Sequence, residues 1–317
     1  MRKKILHIDE NHPALVEGLE ALGFENRIAY KAPLQEIFQE LKDCHGLILR
    51  SRVPVDRQLL SEAPQLEFIG RVGSGLENID LQAAEERNIQ VFAAPEGNCN
   101  AVGEHALGML LSLLNKLPQG QHSITAGRWL REAHRGWELS SRTVGIIGYG
   151  HTGQSFAKKL AGFGCKVLCH DILPQQGDAY AKQEKLESLQ QNCDVISFHL
   201  PQTNDTRHYF DKDFIARMQH PFWLINTSRG SVVETKALLD GIESEKILGA
   251  GLDVLEFENA SFSTINPQEK PEELSFLIQH PQVLLSPHVA GWTFESHERL
   301  AQTIVDKIEN YYKHQTF

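Results

Sequence analysis

The 317-residue sequence has no apolar run near the roughly 18 residues needed to cross a bilayer, which argues against a membrane-spanning protein. It also lacks basic excess. Lys and Arg total 31 against 41 Asp and Glu, and a net charge of −10 opposes the counterion displacement that nucleic-acid binding requires, so no nucleic-acid partner is expected. Its five cysteines, Cys44, Cys99, Cys165, Cys169 and Cys193, form no CxxC pair. No His/Cys/Asp group has metal-ligand spacing, and no metal is expected. The basic start Met1–Lys4 leads into an apolar stretch broken by His7 and ended by Asp9 and Glu10, unlike a secretory signal. Reduced thiols in a cytoplasmic protein are the plain expectation.

What is present is an ordinary soluble composition, 41% apolar and 23% charged, in a chain long enough for two domains. From Lys4 to about Ala94 short β-rich runs (Ile5–Ile8, Leu47–Leu49, Phe68–Arg71, Gln90–Phe92) alternate with helical patterns, as in a parallel α/β sheet. Asn100–Leu117 is apolar nearly all round and reads as a helix buried between two bodies. The glycine- and tryptophan-bearing stretch 118–141 reads as an extended arm. A second alternation from Thr143 onward predicts a doubly wound sheet. The final stretch, Phe294–Tyr312, has Leu300, Ile304 and Ile308 on one helical face and returns the chain to the first domain. The expected fold is therefore α/β with two Rossmann-like or flavodoxin-like domains: a discontinuous substrate domain (1–97 and 292–317) and a nucleotide-binding domain (98–291).

Gly148-Tyr-Gly150-His151-Thr152-Gly153 follows the predicted strand Thr143–Ile147 and precedes a helix-prone run. The three glycines serve a tight turn, close approach of backbone to a pyrophosphate, and helix–strand packing; the helix start at His151 and Thr152 offers unpaired N–H groups. A lone GxGxxG is weak evidence. Here a second strand ends at Asp171, spaced to bond adenosine ribose hydroxyls, and a carboxylate there disfavours a 2′-phosphate, so NAD is expected over NADP.

Three further segments end predicted strands, where open α/β sheets bind ligands: Ile225–Gly230, Gly249–Glu258 and Leu285–Gly291. Interconverting an alcohol and a carbonyl by hydride transfer needs a proton acceptor, a cation for the acid's carboxylate, and a redox cofactor. His288, Arg229 and NAD fill those roles, and Glu258 is the candidate carboxylate that raises the imidazole pKa and fixes its tautomer. Alone, each residue reads more simply as a surface or core group. Their joint order is what points to chemistry. His105, on the buried helix, reads as a satisfied interior histidine and is left out of catalysis.

At these residues the chain resembles the D-isomer-specific 2-hydroxyacid dehydrogenase family over nearly its whole length. Asn226–Gly230 matches the family's N-T-x-R-G stretch, Leu252–Glu258 resembles its L-D-V-[F/Y]-x-x-E stretch with Leu255 at the aromatic position, and Pro287–Gly291 matches its P-H-[I/V]-[A/G]-G stretch. The resemblance implies that Arg229 binds the substrate carboxylate and polarises the carbonyl, that Glu258 partners His288, and that His288 is the acid/base. It implies that Ser74 and Gly75 offer backbone N–H groups to the substrate carboxylate. It also implies that His199, Pro201 and Thr206 lie beside the adenosine, that Thr227, Asp253 and Ala290 surround the nicotinamide, and that the protein is a homodimer. Two departures stand out: Asn259 replaces the usual proline, and the stretch from Glu258 to His288 is longer than typical, with a polar run from Ser261 to Glu273.

The substrate signal is Arg50-Ser-Arg52-Val-Pro-Val55, where two arginines after a strand suit a phosphate as well as a carboxylate. The run resembles the R-S-x-x-x-V stretch of phosphoglycerate dehydrogenases, which implies oxidation of 3-phospho-D-glycerate to 3-phosphohydroxypyruvate at the entry to serine biosynthesis, by a short form of the enzyme. The alternatives are reduction of another 2-oxo acid (glyoxylate, hydroxypyruvate or pyruvate) and an NAD-sensing, corepressor-like role on the same fold.

Overall fold

A computed structural model describes residues 2–258 and 272–315. The chain divides into two units, Met1–Asn98 with Trp292–Phe317, and Cys99–Gly291.

The first unit runs β1 (Lys4–His7), α1 (Pro13–Ala21), β2 (Glu25–Ile28), α2 (Leu34–Leu41), β3 (Gly46–Leu49), α3 (Arg57–Ser61), β4 (Phe68–Arg71), α4 (Leu81–Glu86), β5 (Gln90–Phe92) and the start of α5 (Pro95–Leu114). The strands form one parallel sheet in the order β2-β1-β3-β4-β5. Successive side chains alternate faces. Leu6, Leu47, Leu49 and Ile69 therefore pack on α2–α4, while Ile5, Ile48 and Phe68 pack on α1 and the C-terminal helix. Asp56 and Asp80 cap α3 and α4 through 2.8 Å bonds from Leu59 N and Ala83 N, each contributing about 1 kcal/mol. The strand β2 was not expected. Its sequence Glu-Asn-Arg-Ile is polar because it is a sheet edge with exposed end residues.

The second unit continues with α6 (Leu117–Thr125), β6 (Thr143–Ile147), α7 (His151–Leu160), β7 (Lys166–His170), β8 (Lys182–Gln183), α8 (Leu186–Asn192), β9 (Val195–Phe198), α9 (Lys212–Arg217), β10 (Phe222–Asn226), α10 (Thr235–Glu243), β11 (Ile247–Leu252), α11 (Glu272–Gln279) and β12 (Val283–Leu285). Its sheet is parallel in the order β12-β11-β10-β9-β6-β7-β8, which reverses between β6 and β9 as in a doubly wound nucleotide fold. On one face, Ile146, Val195, Trp223 and Ile225 meet α5 and α7; on the other, Ile196, Phe198 and Leu224 meet α9 and α10. The chain then returns to the first unit as α12 (Phe294–Gln315), whose Leu300, Ile304 and Ile308 are buried beside Ile5, Leu15 and Phe68.

The stretch after α5 is not extended throughout, because α6 occupies its first third. Pro118 starts that helix, and Gly127 ends it at φ 70° with Gly127 N bonded to Ile124 O and Arg128 N to Ser123 O, a glycine-terminated Schellman cap. Beyond it Trp129 is 84% exposed, whereas Trp137 packs edge-on against Trp223.

Candidate active site

The glycine loop fits a dinucleotide on its own geometry. Gly148 has φ 88°, and a Cβ there would overlap the backbone of His199; a Cβ on Gly153 would overlap Gly148 O. A Cβ on Gly150 would meet nothing, so it would occupy open space over the helix start. Gly150 is the N-cap of α7 and supplies no side-chain cap, which leaves the first-turn N–H groups at His151, Thr152 and Gly153 for an anion. Asp171 closes the strand β7 and accepts Tyr149 N at 2.7 Å and Leu173 N at 2.9 Å, one bond on each oxygen. A carboxylate accepts about four such bonds, so hydroxyls can be added. Buried Thr227 Oγ1 and His199 Nδ1 have no protein partner, orphaned polar atoms of the kind a ligand satisfies. His199 packs against Phe156 and bonds Ser197 Oγ, and burial pushes its pKa down to about 3, so the ring is neutral. Pro201 and Thr206 form one turn, with Thr206 Oγ1 donating to Pro201 O at 2.7 Å.

Three strand ends in the second unit deliver the polar groups expected to act together. After β10, Asn226 Nδ2 donates to Arg229 O at 3.0 Å, and Arg229 Nη1 donates to Ser228 O at 2.8 Å. The turn Leu255–Glu258 follows β11 and passes so close to Gly230 that a Cβ there would overlap Leu255 O. Glu258 accepts the Leu255 amide on one oxygen, and its other oxygen lies 2.7 Å from His288 Nδ1. His288 adopts the left-handed region, φ 55°. An imidazole held through Nδ1 by a carboxylate has a fixed tautomer and can exchange protons at Nε2.

Asp253 is 1% exposed, and its carboxylate accepts Ser286 Oγ at 2.5 Å, Val289 N at 2.9 Å and Ala290 N at 2.8 Å. These three bonds make it a clamp on the His288 turn. A second pairing, unseen in the sequence, braces the neighbouring turn: Glu256 accepts Thr235 N, Thr235 Oγ1 and His208 Nε2. Burial raises the Glu256 pKa, but these hydrogen bonds outweigh it and hold the carboxyl below its ordinary value.

The first unit corrects one expectation. Arg52 donates through Nε and Nη2 to Ile8 O, through Nη1 to Ala32 O and through Nη2 to Ala29 O, with Asp9 3.6 Å away. Four of its five N–H groups are engaged with carbonyls, so Arg52 ties loops together rather than receiving a phosphate. Arg50 differs. Its amide donates to Asp9 Oδ2 at 2.6 Å, its carbonyl accepts Asn78 Nδ2, and its guanidinium stacks 4.1 Å from the Trp292 ring. Burial lowers the Arg50 pKa, with Asp9 opposing. Trp292 also meets His297, which meets His12, the N-cap of α1. Ser74 and Gly75 lie in the turn after β4, where Ser74 Oγ donates to Asn98 Oδ1 at 2.7 Å. Asn259 and most of the polar run, 261–271, lie outside the described residues.

Residues 107–290 match the family model for the D-isomer specific 2-hydroxyacid dehydrogenase NAD binding domain. The chain belongs to the D-isomer-specific 2-hydroxyacid dehydrogenase family. It is 31% identical to the hydroxypyruvate reductase of Thermotoga maritima over 95% of this chain and 94% of that protein. It is 33% identical to the D-3-phosphoglycerate dehydrogenase of Haemophilus influenzae over 95% of this chain and 72% of that protein, and spans 55% to 57% of longer relatives of the same description. The D-lactate dehydrogenase of Aquifex aeolicus, solved with NAD and lactic acid, superposes with a TM-score of 0.83 at 27% identity, covering 98% of this chain and 96% of that one. The enzyme is thus an NAD-dependent oxidoreductase acting on small 2-hydroxy or 2-oxo acids. Among the described residues no helix is long and apolar enough to cross a membrane, and no His/Cys/Asp/Glu group could hold a metal.

Proposed function

We propose that the enzyme oxidises 3-phospho-D-glycerate to 3-phosphohydroxypyruvate, with Arg50 as the phosphate receptor. The supporting observation is the Arg50 guanidinium, whose Cζ lies over the Trp292 ring just past the end of β3. In a sheet of order 2-1-3-4-5 the switch point lies between β1 and β3, where such folds bind ligands. Arg50 carries the fixed positive charge there, with the Asp9 carboxylate beside it, and after burial it is the next cause that lowers the His297 pKa.

In this reading the first unit handles anions: Arg50 takes the phosphate, and the Ser74 and Gly75 amides take the carboxylate. Arg229 pairs with that carboxylate and polarises the C2 oxygen as the carbonyl forms. His288 accepts the hydroxyl proton at Nε2, and Glu258 on Nδ1 stabilises the resulting imidazolium. Gly148, Gly150, Gly153 and the α7 N-terminus would hold the NAD pyrophosphate, Asp171 would hold the ribose, and Thr227 and Ala290 would receive the nicotinamide. Bound NAD supplies the hydride acceptor for C2. The exposed Leu117, Ile124, Trp129 and Leu130 around α6 suit a second copy of the chain, giving a dimer.

Reduction of unphosphorylated hydroxypyruvate is the second reading, favoured by the likeness to the Thermotoga enzyme and by the loss of Arg52 as a phosphate ligand. Kinetics on Arg50→Met separate the two. The phosphate reading expects kcat/KM for 3-phosphohydroxypyruvate to fall about tenfold to a hundredfold while hydroxypyruvate is nearly unaffected. Equal loss on both substrates contradicts it.

A further inference from the structure

Three side chains from distant stretches of the second unit form a chain that the roles above leave unused. His105, midway along α5, has Nε2 2.9 Å from Ser286 Oγ, and Ser286 Oγ donates to Asp253 Oδ1 at 2.5 Å. Asp253 in turn receives every amide of the next turn: His288 N on its carbonyl at 2.8 Å, Val289 N and Ala290 N on its carboxylate. His288 sits there at φ 55°, a conformation that persists only where the surroundings over-determine it.

The direction of the chain follows from counting hydrogens. A hydroxyl has one, and that of Ser286 goes to the carboxylate, so Nε2 of His105 must carry the hydrogen aimed at Ser286 Oγ. His105 is therefore a donor, and its Nε2 also lies 3.6 Å from Asp253 Oδ1. Each bond polarises the next, and the last ends on a buried carboxylate.

We propose that His105 is a positioning residue for the hydride-transfer reaction. Through Ser286 it fixes the Asp253 carboxylate in the orientation that clamps residues 288–290, and so aims the His288 imidazole. The idea rests on the acid/base reading of His288, and His105 acts on the substrate only through that turn.

The test combines steady-state kinetics, with NADH and hydroxypyruvate as probe, and amide hydrogen exchange on the full chain. His105→Phe keeps a ring and removes the donor. It should lower kcat by about tenfold to a hundredfold, leave KM and the NADH Kd within about twofold, and speed exchange at residues 288–290. His105→Gln, which offers an N–H where Nε2 lies, should restore most of kcat. Ser286→Ala breaks the same chain, so its loss should not add to that of His105→Phe, and it carries the test if the latter does not fold. Unchanged kcat and exchange, additive losses, or a loss that glutamine does not rescue would overturn the proposal. Failure of the acid/base reading appears elsewhere, as turnover kept by His288→Gln, while exchange in His105→Phe still reports on the clamp alone.

Discussion

Glu258 lies 2.7 Å from His288 Nδ1 through one carboxylate oxygen while its other oxygen is bonded to the Leu255 amide, so the acid is anchored in its own turn before it meets the imidazole. Such a carboxylate can stabilise an imidazolium without itself moving. The expected consequence is a division of labour. His288→Gln should cut kcat by about a hundredfold to ten-thousandfold with NADH binding kept, and Glu258→Gln should cost less. Stopped-flow turnover with fluorescence titration of NADH checks both; an active His288→Gln contradicts the assignment.

Cofactor choice should turn on Asp171. Its oxygens are already fixed by Tyr149 N and Leu173 N, so the carboxylate stays in place whether or not a ribose is bound. Asp171→Ala is expected to raise the KM for NADH about tenfold and improve use of NADPH, as removal of a ribose-binding negative charge requires. Unaltered cofactor preference would remove Asp171 from the ribose.

Close backbone approach makes Gly230 a sensitive position. A Cβ there would collide with the Leu255 carbonyl, and backbone cannot swing aside as a side chain can. Gly230→Ala should separate the Arg229 and Glu258 turns, costing about 1–3 kcal/mol of stability and most of kcat. Thermal unfolding and kinetics with NADH provide the check, and wild-type values for both would count against this packing.

Stability should fall in mild acid. Burial is the main cause that pushes His7, which is 0% exposed, down to about 4, and it alone pushes His199 down to about 3. Unfolding returns each ring to water, where it protonates near 6.5, so the unfolded chain binds more protons below that pH. The contribution is whole above about 6.5 and is lost as pH drops toward 4, roughly 3 kcal/mol for His7. Urea midpoints at pH 7 and pH 5 measure it, and His7→Gln should flatten the dependence in the first unit.

The nucleotide half of the site was legible because its signal is local: a strand, three glycines and an acid at fixed spacing lie within Thr143–Asp171. The order of Arg229, Glu258 and His288 was equally readable, since each follows a strongly apolar strand. Three things were hidden for physical reasons. The edge strand β2 has too little buried surface to impose an apolar pattern, and α6 hides behind Pro118 and Gly127, which read as loop signals but act as its two ends. Arg52 looked like a ligand because a sequence displays a charge but not the carbonyls of Ile8, Ala29 and Ala32 that engage it. The pairing of His105 with Ser286, 181 residues apart, exists only once β11 and β12 lie beside α5.

The most direct measurement is a substrate panel: initial rates of NADH oxidation with 3-phosphohydroxypyruvate, hydroxypyruvate, glyoxylate and pyruvate. The account predicts that 3-phosphohydroxypyruvate has the highest kcat/KM and yields the D-2-hydroxy acid. An unphosphorylated acid with the highest kcat/KM would contradict it.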